Sequence, residues 1–234
     1  SVELLRLVDD KCQRLFDNCF KVVDGPDAPD LTIQELDKEL ILYLSNEKSS
    51  NNYLESYTEG DPSIVSPTDS ASLANGIKYD SIYRFEGYQI YQLADATVSA
   101  SEIHDPDKAR LVAQCDLKNF DKTGNPIGQL VNYYYDESLG GNKPVEEVKG
   151  SNKGIVHSFR IFTDEFASGD KRLVNHKQYY FLAVAYGYNN YLKYSQEPSS
   201  QIPGVSGLSG QKKVYLAGRN NIKVTTAIPH NPAP

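Results

Sequence analysis

Asn119, Asp121 and Thr123 stand at positions 1, 3 and 5 of a short loop whose sixth residue is Gly124. That is the spacing at which oxygen ligands and a sharp glycine turn wrap a calcium ion. The twelfth position, where a bidentate carboxylate is needed, holds Leu130. A plain turn over residues 121–126 explains the same composition, because Asp, Asn, Gly and Pro all favour turns. The plain turn is the preferred account. Calcium, held by Asn119, Asp121 and Thr123, is the one cofactor the sequence raises. Two further acidic groups, Glu59-Gly60-Asp61 and Asp105-Pro106-Asp107, read as solvated turns.

No comparable constellation points to catalysis. Of His104, His157, His176 and His230, only His157 lies inside an alternating apolar run, where a hydrogen-bonded structural histidine is expected rather than a general base. Gly204-Val205-Ser206-Gly207-Leu208 has leucine where a nucleophile elbow requires glycine. Cys12, Cys19 and Cys115 form no CxxC pair, so no zinc site is expected. On a helix, Cys12 and Cys19 would stand ~10 Å apart, too far to bridge. One of them could reach Cys115, but buried free thiols acting as small apolar groups are the preferred reading. The expectation is a chain that is not an enzyme.

Tyrosine is the abundant ring-bearing residue, 17 against 8 phenylalanines. Tyr133-Tyr134-Tyr135, Tyr179-Tyr180 and the series Tyr186, Tyr188, Tyr191, Tyr194 could stack on sugar rings if they shared a solvent face. Cross-strand aromatic pairing within a sheet is the preferred alternative.

Strands must position these side chains. In residues 173–188, Tyr179, Phe181, Ala183 and Ala185 alternate with Tyr180, Leu182, Val184 and Tyr186. Period two marks a strand, and two apolar faces mark a central one covered on both sides. Residues 31–33, 36–44, 83–93, 110–117, 129–135, 154–162, 214–216 and 222–228 are further strand candidates. Residues 140–144 read as a break, and 45–80 and 189–211 as long polar loops. Residues 2–20 carry an apolar stripe of Leu4, Val8, Cys12, Leu15, Phe16 and Cys19 and predict a leading helix. Gly25 to Pro29 reads as a stiff joint after it. Short strands without intervening helices predict an all-β antiparallel sandwich.

Charge excludes some partners. The net charge is −7, which disfavours nucleic acid. The balance is −9 over residues 1–80, −5 over 81–170 and +7 over 171–234, so the basic tail is expected to pack on acidic parts of its own or a neighbouring domain. No apolar run is long enough to cross a membrane as a helix, and direct membrane insertion is not expected. The first residues do not read as a signal peptide. The chain lacks methionine altogether, and is expected to be a processed product or a piece of a longer one.

The order of strands resembles a fibronectin type III domain. The resemblance rests on the Ala28-Pro29 entry, the run Phe85-Glu86-Gly87-Tyr88-Gln89-Ile90-Tyr91, and Leu173 followed six residues later by Tyr179. It covers about residues 28–45, 83–93, 108–117, 155–162 and 173–188. It implies that Tyr179 is a corner tyrosine bonded to an upstream backbone carbonyl. Three features depart from the pattern. The usual core tryptophan is missing, so Leu42 or Leu44 must fill its volume. The loop after the second strand is too long, and the chain after 188 is irregular. The domain plan is a helix and linker over 1–25, the sandwich over 26–228 with insertions at 45–80 and 189–211, and a proline-rich linker over 229–234.

The phrasing FEGYQIYQL and LVNHKQYYFLAVAYGYN also resembles modules of large secreted surface proteins of gliding bacteria. That resemblance implies an extracellular, cell-surface place reached by export across the outer membrane, and a multidomain parent. It also makes Asp69-Ser70-Ala71 and Asp80-Ser81-Ile82 candidate O-glycosylation acceptors, at Ser70 and Ser81. The expected function is a non-catalytic structural or protein-binding module. Its partners would be neighbouring domains of the parent chain or other surface proteins. The alternatives are a carbohydrate-binding accessory domain using exposed tyrosines, or an accessory domain of a secreted enzyme.

Overall fold

The structure, a computed structural model, describes residues 9, 12, 13, 23–66, 70–195 and 210–232. In chain order the strands are β1 (Asp30–Leu36), β2 (Glu39–Ser45), β3 (Thr58–Gly60), β4 (Ile82–Leu93), β5 (Ala109–Asp116) and β6 (Gln129–Asp136). They continue with β7 (Gly141–Lys149), β8 (Ser158–Ile161), β9 (Tyr179–Tyr188), β10 (Tyr215–Ala217) and β11 (Thr225–Ala227). One short helix, α1 (Ser70–Ala74), precedes β4. Every strand pairing is antiparallel, so the chain is all-β as its pattern predicts.

The long pair β4 and β9 forms the centre, in register from Arg84 opposite Tyr188 to Leu93 opposite Tyr180. β3 and then β5 occupy the free edge of β4, and β10 and β11 that of β9. A second sheet, ordered β1-β2-β8, faces this one. Alternation decides what each face meets. Phe181, Ala183 and Ala185 of β9, with Phe85, Tyr88 and Ile90 of β4, pack on Leu40, Leu42, Leu44 and Ile161. Leu42 and Leu44 are both buried.

The opposite face of the central pair is also covered. Leu182 and Val184 meet Tyr91, Leu93, Val98 and Ile103, while Tyr186 meets Leu130, Val148 and Tyr215. The cover is the β6–β7 hairpin and the loop over residues 94–108. This accounts for the continuous apolar run of β9, since a strand buried on both faces has no polar side to show. Burying a side chain such as Phe181 contributes ~2–3 kcal/mol.

Several expectations are corrected. The 45–80 segment, expected as a long polar loop, carries secondary structure among its described residues. It holds a 3-10 turn at Tyr53–Glu55, strand β3 and α1, and its Tyr57 is buried. The break expected at 140–144 is the start of β7, in which Pro144 lies opposite Tyr133. Proline is tolerated there because the opposite Tyr133 directs its N–H away from β7, to Lys212 O at 2.8 Å, so this pair needs no ladder donor from position 144. The strand expected over 154–162 shortens to Ser158–Ile161, and that over 222–228 to Thr225–Ala227. The Gly25–Pro29 joint is stitched into the sandwich. Ala28 N–H donates to Asn220 O at 3.0 Å, and Asp27 exchanges two hydrogen bonds with Asn51. At the other end, His230 N–H donates to Leu36 O at 3.1 Å. Most of the expected helix over 2–20 lies outside the described residues, as do Cys19 and residues 196–209. Cys115 is buried and free as expected, whereas Cys12 is free but exposed.

Candidate functional site

Leu54 and Glu55, both in the 3-10 turn, have positive φ values of 55° and 59°. Left-handed backbone costs a residue with a Cβ ~1–2 kcal/mol, so the surrounding structure has to hold it. Glu55 N–H donates to Asn52 O at 2.9 Å, and Ser56 Oγ donates to Tyr53 O at 2.6 Å. The result is contrary to burial preference: Leu54 is 76% exposed. Its neighbour Glu55 turns inward.

Glu55 Oε1 accepts from His157 Nε2 at 2.5 Å and from the Tyr88 hydroxyl at 3.4 Å. The Tyr88 hydroxyl in turn accepts from Asn46 Nδ2 at 2.5 Å and Asn52 Nδ2 at 3.3 Å. Burial pushes the Tyr88 phenol above its ordinary range, so it acts as a neutral relay. Four segments therefore converge: the end of β2, the 3-10 turn, β4 and the approach to β8. Between them lies a cleft of about 220 Å³ lined by Ser45, Asn46, Tyr53, Leu54, Glu55 and His157. A carboxylate-held imidazole is part of a general-base arrangement. His157 makes no hydrogen bond to a serine, threonine or cysteine among the described residues.

A second unusual group lies on the β4 bulge between Phe85 and Gly87. Glu86 is 2% exposed. Its Oε2 accepts from Asn119 Nδ2 at 2.8 Å. Glu86 Oε1, Asn119 Oδ1 and the Tyr186 hydroxyl have no partner among the described residues. Burial pushes the Glu86 carboxyl up to about 8. The Asn119 hydrogen bond opposes the rise and the charge of Asp116 adds to it. A neutral acid side chain still accepts at Oε2 and avoids placing an unpaired charge in a buried site.

Of the three candidate calcium ligands, Asp121 and Thr123 are hydrogen-bonded to each other, and the Asn119 amide is bonded to Glu86. Asp121 Oδ1 accepts from Thr123 N at 2.8 Å, Thr123 Oγ1 at 2.7 Å and Asn125 N at 2.9 Å. These bonds, that of the Thr123 hydroxyl foremost, pull its carboxyl down to about 2. The Asn119 side chain turns away to Glu86. The segment is a self-contained turn closed by an Asp carboxylate. Among the described residues, no three or more His, Cys, Asp or Glu side chains group to hold a metal.

Ser70 is exposed at the start of α1, while Asp69 of its motif lies outside the described residues. Ser81 is half-buried just before β4, and the adjacent Asp80 is tied to Arg84 at 2.7 Å. Leu173 and Tyr179 are both buried. The Tyr179 hydroxyl accepts from the backbone N–H of Val174 at 2.9 Å, where donation to an upstream backbone carbonyl was expected. Of the 17 tyrosines, 8 are buried and only Tyr43, Tyr134 and Tyr135 are exposed. Tyrosine pairs pack at interplanar angles of 36° to 56°, which is packing geometry and not a flat sugar-stacking platform.

Sequence reasoning missed Glu55, Asn46, Asn52 and Glu86. A glycine inside a strand pattern, here Gly87, is a usable sign of a bulge. Nothing local marks Leu54 and Glu55 as left-handed. No protein-family model matches the chain, and neither the comparison with curated proteins nor that with solved structures finds a match.

Proposed function

We propose that the chain is a fibronectin type III-like, non-catalytic module of a secreted or cell-surface multidomain protein, serving as scaffold and protein-contact domain. The two facing sheets, β1-β2-β8 and the β4–β9 sheet, and the buried corner Tyr179 support the fibronectin-like part. The resemblance of its central strands to surface modules of gliding bacteria supports the extracellular place, with Ser70 and Ser81 as candidate glycan acceptors. The contact role is carried by one observation: a strained turn spends folding energy to hold Leu54 in solvent. Backbone strain that serves no packing purpose points to function, and an exposed apolar anchor beside a cleft suits a protein partner.

The experiment is site-specific photocrosslinking in the producing cells, with benzoylphenylalanine at position 54 and, as control, at exposed Leu73. A defined protein adduct from position 54 and none from 73 is expected. Equal or absent adducts at the two positions would overturn the contact role.

A further inference from the structure

We propose that the cleft beside Leu54 receives the ammonium group of a lysine side chain on the partner protein. This rests on the contact-module reading above and names what the contact recognises. The argument is one of charge and valence. Among the six lining residues only Glu55 carries a permanent charge, and it is negative. It accepts a hydrogen bond from His157, and no lysine or arginine pairs with it among the described residues. The Asn46 amide is turned to the Tyr88 hydroxyl, and its carbonyl oxygen is buried away from the cleft. The cleft therefore offers the Glu55 carboxylate as its polar feature, which favours a cationic guest over an anionic or apolar one.

The choice of lysine over arginine follows from the carboxylate geometry. A guanidinium fork gains its advantage by engaging both oxygens of a carboxylate. Glu55 Oε1 already accepts from His157 and Tyr88, whereas Oε2 accepts no hydrogen bond among the described residues. One remaining oxygen suits a point charge. Tyr53 and Leu54 supply apolar wall for the alkyl stem, the part of lysine that buries while its head stays polar. A volume of about 220 Å³ suits one side chain rather than a larger ligand. The strained turn acquires a purpose: it sets the apolar wall and the carboxylate side by side.

The test is a titration of the full chain, read by backbone amide chemical shifts, with Nα-acetyl-lysine methylamide, its norleucine analogue and its arginine analogue. Saturable shifts at residues 53–55 and 157 are expected with the lysine compound, binding about tenfold or more tighter than norleucine, a difference of ~1.4 kcal/mol. Glu55→Gln should remove that preference while the rest of the spectrum stays in place. Norleucine binding as well as lysine, arginine binding tighter than lysine, or no response at all would overturn the proposal, and the first comparison needs no variant. A crosslink from position 54 with no lysine preference sinks the ammonium site and leaves the contact module standing. A lysine preference without any crosslink does the reverse.

Discussion

The hydroxyl of Tyr179 accepts a hydrogen bond from the backbone N–H of Val174, five residues earlier, at 2.9 Å. This bond pins the turn that delivers the chain into β9, and its donor would otherwise be a backbone group without a partner. Tyr179→Phe keeps the ring and removes the acceptor. The expected cost is ~1–3 kcal/mol, the usual penalty for orphaning a shielded group, read as a lower urea midpoint at unchanged slope. A loss below ~0.3 kcal/mol would mean the bond does not hold the corner.

Glu86 makes stability depend on pH. Its carboxyl stands at about 8 in the folded chain, above ~4.3 for an unfolded glutamate. The native state therefore holds a proton that the unfolded state has released. The stabilisation is complete below pH ~4, is lost as pH rises through neutrality, and levels off above pH ~8, with a slope of at most ~1.4 kcal/mol per unit. Glu86→Gln stays neutral throughout and can copy the acid–amide pairing with Asn119. The variant should match the wild type near pH 4 and exceed it at pH 9. Melting curves that run parallel across this range would show that Glu86 keeps its charge in the fold.

Gly87 has no room for a side chain. A Cβ there would lie 2.3 Å from Cys115 O and 2.5 Å from the Tyr186 hydroxyl. The backbone of β5 cannot yield without breaking its pairing to β4. Gly87→Ala should destabilise by ~2–4 kcal/mol, with the whole chain melting earlier. A neutral outcome would mean that the bulge relaxes freely.

Leu54 should trade stability against contact. Asparagine accepts left-handed backbone better than leucine does, and position 54 buries little. Leu54→Asn is expected to raise stability by ~0.5–1 kcal/mol while weakening pull-down of the partner identified by the crosslink. A destabilised variant would show that the leucine packs in a way that favours the fold.

What the residues alone determine is the backbone periodicity and its class. Alternation over 179–186 marks a strand covered on both faces, and the lack of helical pattern between strands marks an antiparallel fold. These are local properties, because a period of two follows from strand geometry itself. The hairpin partner of β6 was hidden by Gly140, Gly141 and Pro144, whose turn chemistry outweighed a pairing visible only once the direction of the Tyr133 N–H is known.

The sites depended on tertiary structure for the same reason. Glu55 and His157 are 102 residues apart, and Glu86 and Asn119 are 33 apart. No short pattern joins them, and the left-handed turn at Leu54 is imposed by its surroundings against local preference. Asn119 shows the difference within one residue. Its spacing to Asp121 and Thr123 suggested a metal loop, but the β4 bulge placed a buried acid within 2.8 Å of its amide, and that hydrogen bond, not the loop, set the side chain's direction.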